Sequence, residues 1–538
     1  MLWLFSPAFL VAPLLIFVFT LVKYQIRSAK SPLRALPGPP SQSWFYGNVK
    51  QIFERGQSVA WDEWVSTYGK TFRYPVMFNS LSLFTTDPRA INHVLTHSDE
   101  FEKPEDVKAV LELLGEGLIF AEGERHRKQR RIMNPAFGPA QLKSFTPIFN
   151  QKASEVRNIW LSQLNENNTD VIKVDVPYYM SRTTLDIIGL AGFDYEFNSL
   201  QSEGDQLSVA FSSLIPTGSA SRIPSRWTIK PVLMAFAPVI LKLVRIPLPF
   251  TGVKRLRAAK KTIDRICDQL ITERKSAMLR EQSYGFKEKS DTTGKDLLTL
   301  LIRANLQDTD GMSDSDVRAQ IGTFLIAGHE TTSTAMSWTL FGLCQNLEAQ
   351  SKLRDELLAL VTDDPTMDEL KALPYLDMVV RESLRLYSPV FVSRRVAVKN
   401  TVLPMRDGSS IRMSEGDRLL IPIYAMNTDR DIWGKDAFEF KPERWESPPE
   451  AISENPGVWS NLMTFLGGSR ACIGYQFTLI EMKCLLFALV RKFEFRLVLP
   501  VEDIVWRNQT VVRRPFVKGA EQDGPKLPLY VKVHVPDA

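Results

Sequence analysis

Most of the chain beyond about residue 140 carries apolar residues three and four positions apart, the spacing that predicts amphipathic α-helices. Two short segments nearer the amino terminus, residues 71–74 and 80–84, alternate apolar and polar side chains and predict β-strands. One polar segment, residues 281–296, is predicted as a loop between two helices, and no internal repeat is visible. The pattern predicts one large, mainly α-helical domain with small β-sheets over residues 49–538.

The longest helical pattern begins after Ser313 and ends near Asn346. Ser313 is a typical N-cap residue, and Asp316 three positions later strengthens the signal for a helix start. A helix of this length spans about 50 Å, enough to cross a whole domain. Its centre, Ala-Gly-His-Glu-Thr-Thr over residues 327–332, combines small side chains with hydroxyl groups that compete for backbone carbonyls. We therefore expect a local bulge there, with a groove beside it.

Glu330 and Thr331 are adjacent at this centre. A glutamate within an apolar helix is costly unless it has a partner or a function. An acid beside a hydroxyl group can relay protons to a reacting centre where access of water is limited. We predict that Glu330 and Thr331 are catalytic.

The amino terminus has the composition of a membrane anchor. Residues 1–22 carry no charge and, at about 1.5 Å per residue, are long enough to span the hydrocarbon layer of a bilayer. Lys23, Arg27, Lys30 and Arg34 follow, and no acidic residue occurs before Glu54, so the positive-inside rule leaves the rest of the chain in the cytosol. Residues 23–48 are predicted to be a basic and proline-rich linker. A second apolar stretch, residues 231–250, is interpreted either as lying on the membrane or as a buried helix and loop.

Composition excludes several classes of protein. Of the 538 residues, 44% are hydrophobic and 24% charged, which is ordinary for a globular protein with a large core. The net charge of +5 is too small to indicate binding of nucleic acid. Four scattered cysteines form neither a disulfide framework nor a zinc ribbon. Three of them lie in apolar helical patterns and are predicted core residues: Cys267, Cys344 and Cys484.

Cys472 is different, because glycines and an arginine surround it. The pattern Phe-x-x-Gly-x-Arg-x-Cys-x-Gly is formed by Phe465, Gly468, Arg470, Cys472 and Gly474. Glycines let the backbone pass close to a flat macrocycle, and backbone amides near a sulfur can donate hydrogen bonds to it. We interpret Cys472 as the thiolate ligand of a haem iron and Arg470 as the partner of a haem propionate.

The cysteine loop resembles that of the cytochrome P450 family, and residues 327–331 match the family's small-Gly-x-acid-Thr motif. The resemblance implies haem b as cofactor and a membrane-bound, microsomal type of enzyme; the motif style is similar to fungal members. It further implies that Glu382 and Arg385 form a buried structural network with Arg444. The family has Trp-x-x-x-Arg where this chain has His126 and Arg130, so both residues are predicted propionate contacts, with Arg395 as a third.

The same resemblance implies a monooxygenase that inserts one oxygen atom from O2 into a hydrophobic organic substrate. Electrons would come from NADPH through a cytochrome reductase, with cytochrome b5 as a second candidate donor. The chain would then be a single-pass protein of the endoplasmic reticulum with a cytosolic catalytic domain. A basic surface is interpreted either as a docking face for an acidic electron donor or as merely solvated; its residues are Arg127, Lys128, Arg131 and Lys483.

Two other functions fit the haem site. One is a haem-thiolate isomerase or dehydratase, which would more naturally have lost the Thr331 hydroxyl. The other is a non-enzymatic haem-binding protein, which would need no long helix across a cavity. Four apolar segments are candidates for the substrate pocket: residues 107–120, 324–325, 390–392 and 511–512.

Overall fold

The computed structural model describes residues 22, 25–55, 57–112, 116–202, 205–214, 251–284, 296–308, 310–509 and 512–535. The predicted anchor, apart from Val22, and the whole apolar stretch 231–250 lie outside these residues. Among the residues that are described, no helix is both long and apolar enough to cross a membrane.

The described chain is mainly helical, as predicted. Its α-helices are α1 (Val49–Arg55), α2 (Gln57–Tyr68), α3 (Pro88–Thr96), α4 (Glu105–Glu112), α5 (Gly123–Met133), α6 (Pro139–Glu166), α7 (Val176–Phe193), α8 (Gln206–Leu214), α9 (Thr251–Tyr284), α10 (Leu297–Gln307), α11 (Asp314–Gln345), α12 (Leu347–Leu358), α13 (Met367–Lys371), α14 (Pro374–Leu386), α15 (Ile423–Asn427), α16 (Arg430–Trp433) and α17 (Tyr475–Val490).

The strands form small sheets. They are β1 (Thr71–Pro75), β2 (Leu81–Thr85), β3 (Phe101–Glu102), β4 (Val171–Asp175), β5 (Ser393–Ala397), β6 (Thr401–Pro404), β7 (Ser410–Met413), β8 (Arg418–Ile421), β9 (Phe493–Leu497), β10 (Ile504–Gln509), β11 (Val512–Val517) and β12 (Pro528–Val533). The strand orders are β1-β2-β8-β5-β3, β4-β12-β9, β6-β7 and β10-β11. Within the first sheet only β2 and β8 are parallel.

Helix α11 lies at the centre of the main core. Its start is a capping box, in which the Ser313 side chain accepts from the Asp316 amide and the Asp316 carboxylate accepts from the Ser313 amide. Helix α7 packs against its middle, where a Cβ added to Gly328 would lie 2.8 Å from the Ile188 side chain. Gly328 therefore lets two helices approach each other.

The described part of the predicted linker packs against the first sheet. Leu33 is fully buried, and the Ser28 hydroxyl donates to the Asn79 carbonyl at 2.6 Å. The Arg73 amide, in β1, donates to the Pro37 carbonyl at 2.9 Å. These contacts fix the path by which the chain enters the domain.

Candidate active site

Cys472 lies in a tightly folded loop before α17. The loop contains two short 3₁₀ turns, Met463–Phe465 and Gly468–Arg470, and its backbone takes left-handed angles at Leu466 and Gly468. The Cys472 amide donates to the Phe465 carbonyl at 2.8 Å, which closes the loop. Phe465 is buried, with its ring 5.9 Å from that of Tyr475. The loop is thus held in one shape with the cysteine at its end.

The Cys472 side chain is accessible, yet burial raises the pKa of its thiol. The Gly474 amide hydrogen bond and the positive charge of Arg130 act in the opposite direction and lower the pKa. Helix α17 begins at Tyr475, directly after Gly474, and its N-terminus also favours a negative charge on the nearby Cys472 sulfur. These are the surroundings that a metal-binding thiolate requires.

The glycines of the loop serve the packing of the protein itself. A Cβ added to Gly467 would collide with the Pro456 carbonyl, and one added to Gly468 would collide with the Leu95 carbonyl. At Gly474 the nearest atom would be in Phe137, at an ordinary 3.8 Å. The first two glycines thus admit neighbouring backbone, whereas Gly474 places its amide toward the sulfur and leaves space beside it.

Buried cations surround the approach to Cys472. Arg130 donates to the Ala471 carbonyl, next to the cysteine. Arg470 donates to the Ala121 carbonyl at 2.7 Å and is paired with Glu122. Arg395 is 3% exposed and donates to the Ser393 hydroxyl at 2.7 Å and to the Arg394 carbonyl at 2.8 Å, neither of which is charged. Burial lowers the pKa of Arg395 to about 10, so the guanidinium is still charged at neutral pH.

Lys103 belongs to this cluster, although no sequence motif points to it. Its pKa is lowered well below the ordinary value, first by burial and then by the charges of Arg470 and Arg395. His126 is also buried, and burial, together with Lys103 and Arg130, lowers its pKa to about 4. Its ring is therefore neutral at pH 7 and can donate one N–H. The lysine was missed because it stands in a loop, before Pro104, outside every motif.

The cluster of Lys103, Arg395 and Arg470 has two carboxylates close to it, Glu122 and Glu102, and Glu102 is also paired with Lys108 at 2.8 Å. Glu122 accepts from Lys103 at 3.5 Å as well as from Arg470. Uncompensated charge in a buried place is unfavourable unless an anion shares it. A haem bound beside Cys472 would supply an iron for the thiolate and two propionate carboxylates for the cations. The residues present fit a haem.

Helix α11 contributes Glu330 and Thr331. Glu330 is 6% exposed and forms an ion pair with Arg514 of β11 at 2.9 Å. The Thr331 hydroxyl donates to the Ala327 carbonyl at 2.7 Å, one turn earlier. The predicted competition of hydroxyls for backbone carbonyls is present, but α11 stays α-helical from Asp314 to Gln345, so the predicted bulge is not formed.

A family model described as Cytochrome P450 matches residues 37–515. The chain belongs to the cytochrome P450 family. It is 46% identical to cytochrome P450 monooxygenase 205 of Postia placenta over 97% of both chains, and 45% identical to monooxygenase 128 of the same fungus over 94% of this chain and 93% of that one. It is 32% identical to a ganoderic acid synthetase of Ganoderma lucidum, over 96% of each.

Membership in this family, with relatives named monooxygenases over nearly the whole chain, makes the protein a haem-thiolate monooxygenase. Such a P450 uses haem iron, O2, an organic substrate and a redox partner that supplies electrons. Nothing supports the isomerase or the non-enzymatic haem-binding protein.

The P450 fold places Glu382 in a fully buried network. Arg385 donates to both of its carboxylate oxygens, at 2.8 and 2.9 Å, and Arg444 donates to one at 2.8 Å. The Trp445 indole and the Lys441 amide donate to the same carboxylate, at 3.1 and 3.0 Å. Five donors thus converge on one buried acid, which joins α14 to the segment 441–445.

Asn427, a second residue without a sequence signal, connects this network to the cysteine loop. Its carbonyl accepts from Arg385 at 3.3 Å. Its side chain donates to the Thr464 hydroxyl at 2.8 Å and accepts from the Met463 amide at 2.8 Å. Residues 463 and 464 belong to the first 3₁₀ turn of the cysteine loop, so the network supports the loop through Asn427.

The predicted basic docking face is partly neutralised. Arg127 is paired with Glu124 at 2.6 Å, Lys128 with Asp310 at 2.7 Å, and Arg131 with Asp308 at 2.9 Å. Lys483 is 4% exposed and paired with Asp377 at 2.8 Å. The buried Lys483 is not part of a surface, which removes it from the predicted set.

Replacing Gly468 with alanine is expected to destabilise this P450 by about 2 kcal/mol or more. A left-handed backbone costs an alanine about 1–2 kcal/mol, and the added Cβ must also displace the Leu95 carbonyl. Urea unfolding followed by tryptophan fluorescence measures the change. Gly474→Ala is the control, because its φ of −91° and its open surroundings predict a loss below about 1 kcal/mol. Equal losses in the two variants would contradict this account of the loop.

Proposed function

We propose that Cys472 is the axial ligand of a haem b iron and that the buried cations bind its propionates. The proposed propionate contacts are Arg130, His126, Arg395 and Arg470, joined by Lys103. The observation that carries the proposal is the Cys472 thiol, which receives the Gly474 amide hydrogen bond and the charge of Arg130 and lies in the same loop as Arg470, a member of the cationic cluster. Glu122 shares the charge of two cations of this cluster, Lys103 and Arg470.

Each residue around the sulfur has a distinct part in this arrangement. Cys472 must be ionised to bind iron, and the Gly474 amide, the charge of Arg130 and the start of α17 stabilise the thiolate. Phe465 and Gly468 hold the loop in shape, through the closing hydrogen bond and the left-handed turn. When bound, a haem with a thiolate ligand supplies the electron density that favours cleavage of the O–O bond.

We also assign proton delivery to Glu330 and Thr331 of α11. The Thr331 hydroxyl donates to the Ala327 carbonyl at 2.7 Å, so this hydrogen bond would have to open before the hydroxyl could give its proton to a reacting group. The Glu330 carboxylate, once protonated, would then return a proton to the Thr331 oxygen.

Replacing Thr331 with alanine is expected to uncouple electron use from product formation. Loss of the hydroxyl removes the last proton donor, so NADPH is still consumed while product per NADPH falls by about tenfold, within the ~100-fold that a positioned proton donor contributes. The ratio is measured with the reductase, NADPH and a substrate selected by its shift of the haem spectrum. Thr331→Ser, which keeps the hydroxyl, should retain the ratio of the parent enzyme. An unchanged ratio in the alanine variant would exclude Thr331 from proton delivery.

The proposed electron donor is an NADPH-cytochrome reductase, with cytochrome b5 as an additional donor. The proposed substrate is a hydrophobic organic molecule of secondary metabolism, in line with the names of relatives such as the ganoderic acid synthetase. One candidate pocket segment, residues 107–120, contacts α11 at Leu118, and β11, which begins in the segment 511–512, contacts α11 as well. Leu118 donates its amide to the Gln320 side chain of α11 at 2.9 Å, and β11 contacts α11 at Glu330. Phe324, predicted to line the pocket, packs against Phe137 at 5.7 Å.

We further propose a single-pass location in the endoplasmic reticulum membrane with the catalytic domain in the cytosol. The support is the uncharged segment 1–22 and the basic residues after it. Because residues 25–48 pack against the first sheet, they would hold the domain at a fixed angle to the bilayer. Recovery of the full chain in microsomes after carbonate washing tests this location.

A further inference from the structure

Glu330 does not stand alone on α11. It forms an ion pair with Arg514, with 2.9 Å between Glu330 Oε2 and Arg514 Nη2, and both side chains are largely buried, at 8% and 12% exposure. Arg514 belongs to β11, nearly two hundred residues further along the chain. An ion pair that is screened from water holds its two side chains in one geometry more firmly than an exposed pair does.

Strand β11 is itself fixed at two further points. The Arg513 carbonyl accepts from the Trp338 indole of α11 at 2.8 Å, two helical turns beyond Glu330. The Arg513 amide donates to the Pro389 carbonyl at 2.9 Å, directly before the candidate pocket segment 390–392. The Arg513 guanidinium lies over the Trp506 ring at 3.7 Å and the Phe391 ring at 4.4 Å. The strand therefore links α11 to the segment that the sequence predicts as substrate-contacting.

We propose that Arg514 is a positioning residue for oxygenation, which holds the Glu330 carboxylate in one geometry and ties it to β11, the strand that follows the candidate pocket segment 511–512. The inference rests on the proposed role of Glu330. Without Arg514, a buried carboxylate loses its counter-charge and its fixed rotamer, so proton delivery becomes inefficient even though the hydroxyl and the acid are both present. The amount of product formed per NADPH would then depend partly on Arg514 of β11.

The chain supplies a matched control in the same hairpin. Arg507 is the register partner of Arg514 across β10 and β11. It is half exposed and is paired at 3.0 Å with Glu521 on the outer surface. Arg507→Met therefore removes the same kind of side chain from the same hairpin without touching Glu330.

The first experiment measures the ion pair without turnover. Urea midpoints are compared for the full-length holoprotein and for the variants Glu330→Gln, Arg514→Met and the double variant. Since removal of one partner leaves a buried charge uncompensated, Arg514→Met should lower the midpoint more than the double variant does. Arg507→Met should shift it little. If the shifts in urea midpoint of Glu330→Gln and Arg514→Met simply add in the double variant, the two side chains are not coupled and the proposal is wrong.

The second experiment measures coupling. Arg514→Met should lose several-fold of product per NADPH, while the substrate-induced spectral Kd and the carbonyl spectrum stay as in the parent enzyme. Arg514→Lys, which keeps the charge, should recover much of the loss, and Arg507→Met should match the parent. If Arg514→Met forms as much product per NADPH as Arg507→Met, the inference about Arg514 fails while the proposed function stands. If the parent enzyme forms no product with any reductase, the proposed function fails, and the urea comparison still decides the ion pair.

Discussion

Replacing Cys472 with serine is expected to abolish oxygenation and to remove the carbonyl spectrum typical of thiolate-ligated haem. A serine hydroxyl stays protonated at neutral pH and is a poor ligand, so neither the Gly474 amide nor the Arg130 charge has a thiolate to stabilise. The side chain is accessible, so we expect the free energy of unfolding to change by less than about 1 kcal/mol. Spectra of the reduced protein with carbon monoxide and product analysis measure the two effects.

Cys344→Ser is the matched control for this substitution. Cys344 is a buried thiol near the end of α11, where burial raises its pKa to about 12 and keeps it protonated. Its replacement should leave the carbonyl spectrum unchanged. A thiolate spectrum that survives in Cys472→Ser, or disappears in Cys344→Ser, would show that the ligand had been assigned to the wrong cysteine.

The parts of the fold that depend on local signals could be predicted from the sequence. Ser313 and Asp316 mark the start of α11 because capping depends on residues three positions apart. The alternating segment 71–74 falls within β1, where burial alternates over the first four residues. The segment 80–84 overlaps β2 (Leu81–Thr85), which is buried on both faces, so one-sided burial does not account for that strand. The cysteine loop is likewise a local feature, since every residue of its pattern lies within ten positions.

What the sequence could not supply are contacts between distant segments. The first sheet joins β2 to β8, which are separated by more than three hundred residues, and no local pattern specifies that pairing. Lys103 and Asn427 have their roles only because the fold brings Arg395 and Thr464 to them. The glycines show the same limit. The atoms that a Cβ at Gly328 or Gly468 would meet belong to Ile188 and Leu95, which only the fold brings to them.

Replacing Glu382 with glutamine is expected to destabilise the protein by about 3–5 kcal/mol, the cost of breaking a buried ion pair from one side. Arg385 is fully buried and Arg444 nearly so, and both would face a neutral amide. One amide oxygen also cannot accept from all the donors that the carboxylate satisfies. A domain commonly has a free energy of unfolding of about 5–15 kcal/mol, so this substitution would remove a large part of it. Arg385 donates a hydrogen bond to the Asn427 carbonyl, and Asn427 supports the cysteine loop. We therefore expect the loop to loosen in this variant and the protein to retain less haem.

The soluble yield, the haem content and the urea midpoint of Glu382→Gln measure this effect, with Glu443→Gln as control. Glu443 lies beside Arg444 in the same segment, but it is partly exposed and its ion pair is with Lys352 on the surface, at 3.0 Å. Surface pairs contribute about 0–1 kcal/mol, so the control should remain close to the parent protein in stability and haem content. If both variants lose the same stability, burial of the Glu382 network is not what holds the cysteine loop. If only Glu382→Gln loses haem, the cysteine loop depends on the buried Glu382 carboxylate. The carboxylate would then act through α14, whose rigid support keeps the Cys472 thiolate in place.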